Sequence, residues 1–494
     1  MMGPAKPIAM RLTREQTPVD LAEWVGSCRR ALDASERLVT LFGRSITDDA
    51  VIVTAVTQSE HGRLAVWRGL GRRGQGFASL TVDHPSAQML ERELWEQTGL
   101  IPEGHPWLKP VRYEGARQQR MSEHRFFTVR GQEVHEVGVG PIHASVIEPG
   151  HFRFVCHGEQ VHHLEVQLGY QHRGVEELLL RRSPFAVTSL VESIAGDTSI
   201  AYAWSYCSAI EALCGAQVGM ETDLVRGVAL ELERIAMHLV ALTGMATDIA
   251  FLQGGATYGR LRTAIINATM RVCGSRFGRG WFRPGGMRFG ITDDLRRDML
   301  ATLAAFARDV AQVNDLMLSA RSVQSRLQGV GTVSRQAAEE LGLVGLPARA
   351  SGVAVDMRAS LPGRLYAAHP VATLTEDTGD CWARLKLRMR EIDASVGWLT
   401  KVLQGTEFNI GAPALATLGP LWHDTLCVSV REGFRGPVVQ VLETGPDGRL
   451  LHYKVQDPSL LNWFGVALAV RDNEISDFPI CNKSFDLSYC GNDL

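Results

Sequence analysis

Apolar residues at helical spacing mark out the middle and later parts of the chain. Leu224, Val228, Ile235, Leu239 and Leu242 predict a helix over about 223–250, capped at Thr222 or Asp223. Leu303, Phe306, Val310, Val313 and Met317 predict another over about 293–327 behind a Thr292 cap, and Trp382, Leu385, Met389, Ile392, Val396 and Leu399 a third over about 381–403. Stripes of this length predict a long-helix bundle. Residues 185–214, rich in Ala and Ser, allow close helix packing around a buried site. Elsewhere the period is two. Phe152, Phe154 and Cys156, a His157-Gly158 turn, then Leu164, Val166 and Leu168 predict a hairpin, and Val438–Leu442, a turn at Gly445 to Gly448 and Leu450–Val455 predict another. Nearer the start, a helical patch at Leu21–Leu41 and strands at Ala50–Val56 and Leu64–Trp67 predict a small α/β unit. Residues 1–20, with Pro4, Pro7 and Pro18, read as a flexible tail.

Size and charge narrow the function classes. A chain of 494 residues exceeds the roughly 250–300 that one core supports, so at least two domains are expected. A net charge of -3 without basic runs gives no footprint for nucleic acid, which excludes that partner. No apolar run approaches the roughly 20 residues of a membrane span, and the start lacks a signal-peptide layout. The expectation is a cytoplasmic chain that meets a membrane through partners. The nine cysteines are scattered with no C-x-x-C pair, which reads as reduced, buried thiols and no iron–sulfur cluster in this chain.

Several strings carry more information. Glu91-Arg92-Glu93 leads through Gly99 to Glu103-Gly104-His105-Pro106-Trp107-Leu108. Taken plainly, it is a helical turn stopped by Gly99 and a Gly/Pro loop. With this spacing it resembles the signature of the complex I 30 kDa (C) subunit. Gly140-Pro141-Ile142-His143 opens a further region, followed by Glu165 to Glu176 with His172-Arg173-Gly174, then Glu192 to Thr198, and Tyr206 to Glu211. Together with Gly274-Ser275-Arg276-Phe277, Arg283 to Gly286 and Ala350 to Arg358, these strings resemble the [NiFe]-hydrogenase large subunit superfamily, in its formate hydrogenlyase and complex I 49 kDa (D) branch. The resemblance implies an α+β chain. A 30 kDa-like docking domain would span 21–134, and a helix-bundle domain with flanking hairpins would span 135–494.

Metal-bearing members of that superfamily read E-R-x-C-G-x-C and D-P-C-x-x-C, with soft thiolates that suit late first-row metals. The corresponding residues here are Ala195, Thr198, Ser488 and Gly491, so the resemblance implies a member without a [NiFe] centre. Cys490 lies one residue out of register. Glu176 matches a magnesium ligand of the hydrogenases, but Leu494 stands where its histidine partner would be, so no metal is expected. In the complex I branch the vacated cavity holds a quinone head group. Asp248 matches one of its three contacts; the His loop keeps His143 but is longer, with Glu148-Pro149 near the second His position, Gly196 falls at the quinone-binding Tyr, and Tyr202 lies at the position of a hydrogenase His. Arg435 matches an Arg that stands over the iron ligands. The expected site therefore joins Glu176, Asp248 and Arg435 as acting groups with His143, Tyr202, Ala195, Thr198 and Ser488 as cavity wall. Plain readings stand beside these. Asp248 also fits a cap or a partner of His238 or Arg234, and His172 and Arg173 fit a tie between hairpin and helix. Glu176 or Glu192, if buried, would be relay candidates because desolvation raises a carboxyl pKa.

The resemblance implies a subunit of a membrane-associated oxidoreductase complex. Its partners would be an iron–sulfur small subunit that supplies electrons, a ferredoxin-like subunit and antiporter-like membrane subunits. Quinone or another small acceptor would be reduced in the vacated cavity, coupled to ion translocation. The alternative is a non-catalytic scaffold that transmits conformational change.

Overall fold

The computed structural model describes residues 9–12, 17–115, 120–131, 133–143, 147–405, 411 and 415–494. The polar stretch 117–123, which reads as a linker between the two expected domains, therefore lies partly outside the described residues.

Four strands, Val19–Asp20, Leu64–Arg72, Ala50–Gln58 and Arg37–Ser45, form the first sheet in that spatial order. Helix Leu21–Asp33 packs on it, started by Asp20, whose Oδ1 accepts from the amides of Ala22 and Glu23 at 2.9 and 3.0 Å. The helical patch predicted to Leu41 stops at Asp33. Ser35 turns with φ 63°, and residues from Arg37 are drawn into the sheet as a strand paired with Ala50–Gln58. The Glu91-Arg92-Glu93 string lies on helix Gln88–Thr98, ended by Gly99 at φ 81° as its position predicts. Glu91 accepts from Ser79 Oγ (2.6 Å), the Leu80 amide (2.8 Å) and Thr81 Oγ1 (2.6 Å), which fixes the preceding loop. The core of this unit also contains Val344, Leu460 and Leu461, so the small unit and the large domain share buried surface.

In the large domain, Gln160–Gln167, His151–His157 and Val134–Val139 form a three-stranded sheet, the predicted hairpin plus one strand. Helices Ser199–Leu213, Met220–Asp248, Leu252–Cys273, Asp293–Ser319 and Cys381–Gln404 make the bundle. Thr292 caps its helix as expected, with Oγ1 accepting from the Leu295 amide at 3.3 Å. That helix breaks at Ala320 and resumes as Arg321–Leu327. Met220–Asp248 starts earlier than predicted, at Gly219, so neither Thr222 nor Asp223 is its cap. Leu252–Cys273 gives no clear stripe, because Gly254, Gly255 and Gly259 interrupt it.

The last sheet runs Ala9–Leu12, Leu426–Glu432, Pro437–Thr444 and Leu450–Gln456. Part of the expected tail is thus a strand, antiparallel with Ala9 opposite Ser429. The pairing satisfies an edge that would otherwise expose unpaired amides and carbonyls. Among the described residues, no helix is long and apolar enough to cross a membrane.

Candidate functional site

Four chain segments meet beneath the start of helix Ser199–Leu213. They are residues 192–198, the turn at 433–436, Asp457 at the head of helix Pro458–Ala469, and the C-terminal residues from Asp486 onward. Arg435 donates from both Nη atoms to the Asp197 carboxylate at 2.7 and 2.8 Å, from Nη1 to Thr198 Oγ1 at 3.3 Å, and from Nε to the Asp486 carbonyl. Its guanidinium also lies 4.3 Å from the centre of the Phe434 ring. Burial works against the Asp197 carboxylate, but the Arg435 charge outweighs it and holds the group below its usual range. Tyr202 is fully buried and donates to Asp457 Oδ2 at 2.6 Å, while Asp457 Oδ1 caps the next helix by accepting from the Ser459 amide at 2.8 Å. Ser459 Oγ accepts from the Ser488 amide at 2.9 Å, and Ser488 Oγ accepts from the Gly491 amide at 2.9 Å.

The structure therefore brings Ala195, Thr198, Ser488, Gly491, Tyr202 and Arg435 to one place. All six are buried. Asp457 and Asp197, which none of the motif matches assigned a role, bond Tyr202 and Arg435 there. A Cβ built on Gly491 would collide with Asp457 Oδ2. The residues present do not fit a nickel–iron centre, since a thiolate at position 491 has no room beside Asp457. The Asp457-Pro458-Ser459 order is a recognisable helix start, yet nothing local to it announces Tyr202 as a partner. Tyr202→Phe leaves the buried Asp457 short of one donor, and we expect a loss of about 1–3 kcal/mol in denaturant unfolding.

An open cleft of about 450 Å³ lies against this cluster, lined by Glu148, Tyr170, Gln171, His172, Arg173, Ser193, Gly196 and Cys490. Arg173 holds its walls together by donating to the carbonyls of Ser193 (2.9 Å), Ile194 (2.8 Å) and Cys490 (2.8 Å), and its amide donates to the Leu494 carbonyl at 2.7 Å. His172 bridges the Asp493 carbonyl at 2.8 Å and Glu114 at 3.0 Å. Burial opposes its protonation, but the Glu114 carboxylate prevails and raises its pKa. His172 thus ties the chain end to Glu114, and Arg173 ties it to residues 193–194, rather than hairpin to helix. Burial, aided by Glu148, pushes the Cys490 thiol up to about 11.

The remaining expected residues lie elsewhere. Glu176 accepts from Lys454 Nζ at 3.0 Å, the Val455 amide at 2.8 Å and Gln97 Nε2 at 3.4 Å, at the junction with the small unit. Burial raises its pKa against the pull of Lys454. The ammonium of Lys454 also lies 2.7 Å from Glu93, so the acidic group matched to a magnesium ligand faces a lysine, and the site does not fit that ion. Among the described residues, no group of three or more His, Cys, Asp or Glu side chains is placed to hold a metal. Asp248 ends its helix exposed, and neither His238 nor Arg234 is its partner, because those bind Glu391 at 2.8 Å and Glu231 at 3.2 Å. His143 is half-buried and bonded to the Gly150 carbonyl at 2.9 Å, and residues 144–146 of its loop lie outside the described residues. Glu192 accepts from the Gly280 amide with both oxygens, at 2.9 and 3.0 Å, and burial lifts it to about 7.

Comparison with known proteins agrees with this architecture. Residues 248–417 match the family model for the respiratory-chain NADH dehydrogenase 49 kDa subunit. Formate hydrogenlyase subunit 5 of Escherichia coli (strain K12) is 28% identical over 84% of this chain and 76% of that protein. The NADH-quinone oxidoreductase (D) subunit of Campylobacter concisus (strain 13826) is 30% identical over 57% of this chain and 68% of that protein. A chain in the structure of the membrane-bound sulfane sulfur reductase, an archaeal respiratory membrane complex, superposes with a TM-score of 0.69 at 20% identity, covering 74% of this chain and 99% of that one.

Proposed function

The chain belongs to the family of the respiratory-chain NADH dehydrogenase 49 kDa subunit, and on that premise we propose that it is the large subunit of a hydrogenase- and complex I-like complex that reduces a quinone-class acceptor in the open cleft. The observation that carries the reading is the cleft itself. It abuts Gly196, the position the resemblance gives to a quinone-binding Tyr, and proton-bearing groups converge on it from Glu148, Tyr170, His172 and Cys490. A quinone takes up two electrons and two protons to become a hydroquinone. The electrons would come from an iron–sulfur small subunit, and His172, whose pKa the Glu114 carboxylate raises, is a proton donor at the wall. The acceptor thus sits beside the buried cluster around Asp457 rather than inside it, and Arg435 and Tyr202 act behind the wall. Ferredoxin-like and antiporter-like subunits complete the complex on the cytoplasmic face of the membrane, where ion movement is coupled to the redox step.

A second reading has its own support. The hydrogen bonds that knit Asp197, Arg435, Asp457 and Tyr202 together would equally serve a rigid scaffold that passes conformational change to membrane partners. Ser193→Trp places a large ring in the cleft without touching the buried pairs, and among the described residues the Ser193 hydroxyl bonds only the nearby Ser189 carbonyl. Purified with its native partners, the complex is expected to contain iron, no nickel and extractable quinone, and the variant to assemble normally with turnover down at least tenfold. Absence of iron and quinone, or unchanged turnover, would favour the scaffold, and stoichiometric nickel would refute both.

A further inference from the structure

A second pocket lies where the small unit meets the large domain. It encloses about 550 Å³, and Asn492, two residues beyond Cys490, belongs to its wall. Most of that wall is apolar: Met89, Trp107, Val111, Leu164, Trp463 and Phe464. A void of this size, largely apolar with a few fixed polar groups, is the usual form of a small-molecule site.

Its charges are unbalanced. Arg92 is 8% exposed, and its guanidinium donates to the carbonyls of Lys109 (2.7 Å) and Pro110 (2.9 Å) and to the thioether of Met89 (3.1 Å). Among the described residues it forms no ion pair. The nearby carboxylates are committed elsewhere: Glu96 accepts from the amides of Val111, Arg112 and Glu114, and Glu165 accepts from Lys109, His124 and the Phe127 amide. Arg471, on the same wall, faces His163 Nδ1 at 3.5 Å and also has no carboxylate partner among the described residues. Taking a cation out of water without a counter-ion is costly, which applies to the buried Arg92, and the half-buried Arg471 adds a second charge to the same wall. Of the Arg92 nitrogens, Nη1 is the least committed, because a thioether is a weak acceptor. Tyr113 adds strain on the same wall. It is held at φ 61°, uncommon for a bulky residue, with its hydroxyl bonded to Gln167 at 2.8 Å and His124 at 2.6 Å.

We infer that this pocket binds an amphipathic carboxylate, with its apolar body against Trp107, Trp463 and Phe464 and its anionic head taking the unpaired charge of Arg92 and Arg471. The inference does not rest on the acceptor cleft. Carboxylates of this kind come from lipid acyl chains or from small aromatic acids. The full chain is therefore titrated with sodium palmitate, sodium 2-naphthoate and the neutral 1-hexadecanol, read by tryptophan fluorescence and thermal shift. Saturable binding of at least one carboxylate is expected, tenfold or more tighter than hexadecanol, and which acid binds identifies the source. Arg92→Met is expected to weaken it at least tenfold. Because Arg92 also anchors residues 109–110, Arg471→Gln is measured in parallel, and it should weaken binding while leaving the unliganded melting temperature unchanged. No saturable binding, equal binding of hexadecanol, or affinity unchanged in Arg471→Gln would overturn the inference.

Discussion

Replacing Lys454 with methionine is expected to destabilise the chain by about 3–5 kcal/mol. The ammonium is 1% exposed and sits between Glu93 at 2.7 Å and Glu176 at 3.0 Å. Glu93 belongs to the small unit and also pairs with the fully buried Arg112, whose Nε donates to the Asn492 carbonyl at 2.6 Å. Removing the lysine leaves the buried Glu93 and the largely buried Glu176 facing each other, with the Arg112 guanidinium paired to Glu93, and stranding a buried charge costs more than the intact pair ever contributed. The junction of the two units should loosen first, because these residues span it. Equilibrium denaturation of the variant checks the magnitude. Adding Glu176→Gln to Lys454→Met should recover a large part of the loss, since the second change removes the charge that the first stranded. A single-variant loss below about 1 kcal/mol would mean that the junction is held by apolar contact alone.

The second large effect depends on pH. Glu233 lies on helix Met220–Asp248 and accepts from the amides of Ile200 at 2.7 Å and Ala201 at 3.3 Å, at the opening turn of the next helix. Burial lifts its pKa to about 8 in spite of those amides, and the charge of Asp197 adds to the rise. The folded chain therefore keeps a proton that the unfolded chain releases from about 4.5 upward. Stability from this group falls as pH rises from about 4.5 to about 8 and levels off above that. Glutamine mimics the protonated acid and can still accept from Ile200. Glu233→Gln should match the parent near pH 4.5 and exceed it above pH 8. At about 1.4 kcal/mol per unit, the difference is on the order of 3–5 kcal/mol. Unfolding of both chains from pH 5 to 9 tests this, and parallel curves would show that Glu233 is already ionised in the fold. The same carboxyl stands behind Asp197, so the redox readout of the cleft should be followed across that range.

Local pattern made much of the fold legible. Helical stripes marked three of the five bundle helices, and period-two alternation marked the hairpin around 152–168, because core-facing positions recur at the period of the element itself. Thr292 and Gly99 announced a start and a stop through chemistry confined to one turn. That positions 195, 198, 488 and 491 bear no thiolate is a matter of residue identity, and the motif strings pointed to the 49 kDa subunit family.

Only the tertiary structure decided what fills the space around those positions and where the charges go. Asp457 reaches Tyr202 across 255 residues of sequence, and Lys454 reaches Glu93 across 361. Neither pairing leaves a periodic trace. Each follows from how whole helices and sheets pack, and from the need to neutralise a carboxylate once packing has buried it. Ala9–Leu12 became a strand for a similar reason, because an open sheet edge lay within reach. Glu176 turned toward a lysine and Asp248 was left exposed because burial and partners are properties of position in three dimensions, while the sequence alone determines which side chains are present to be partnered.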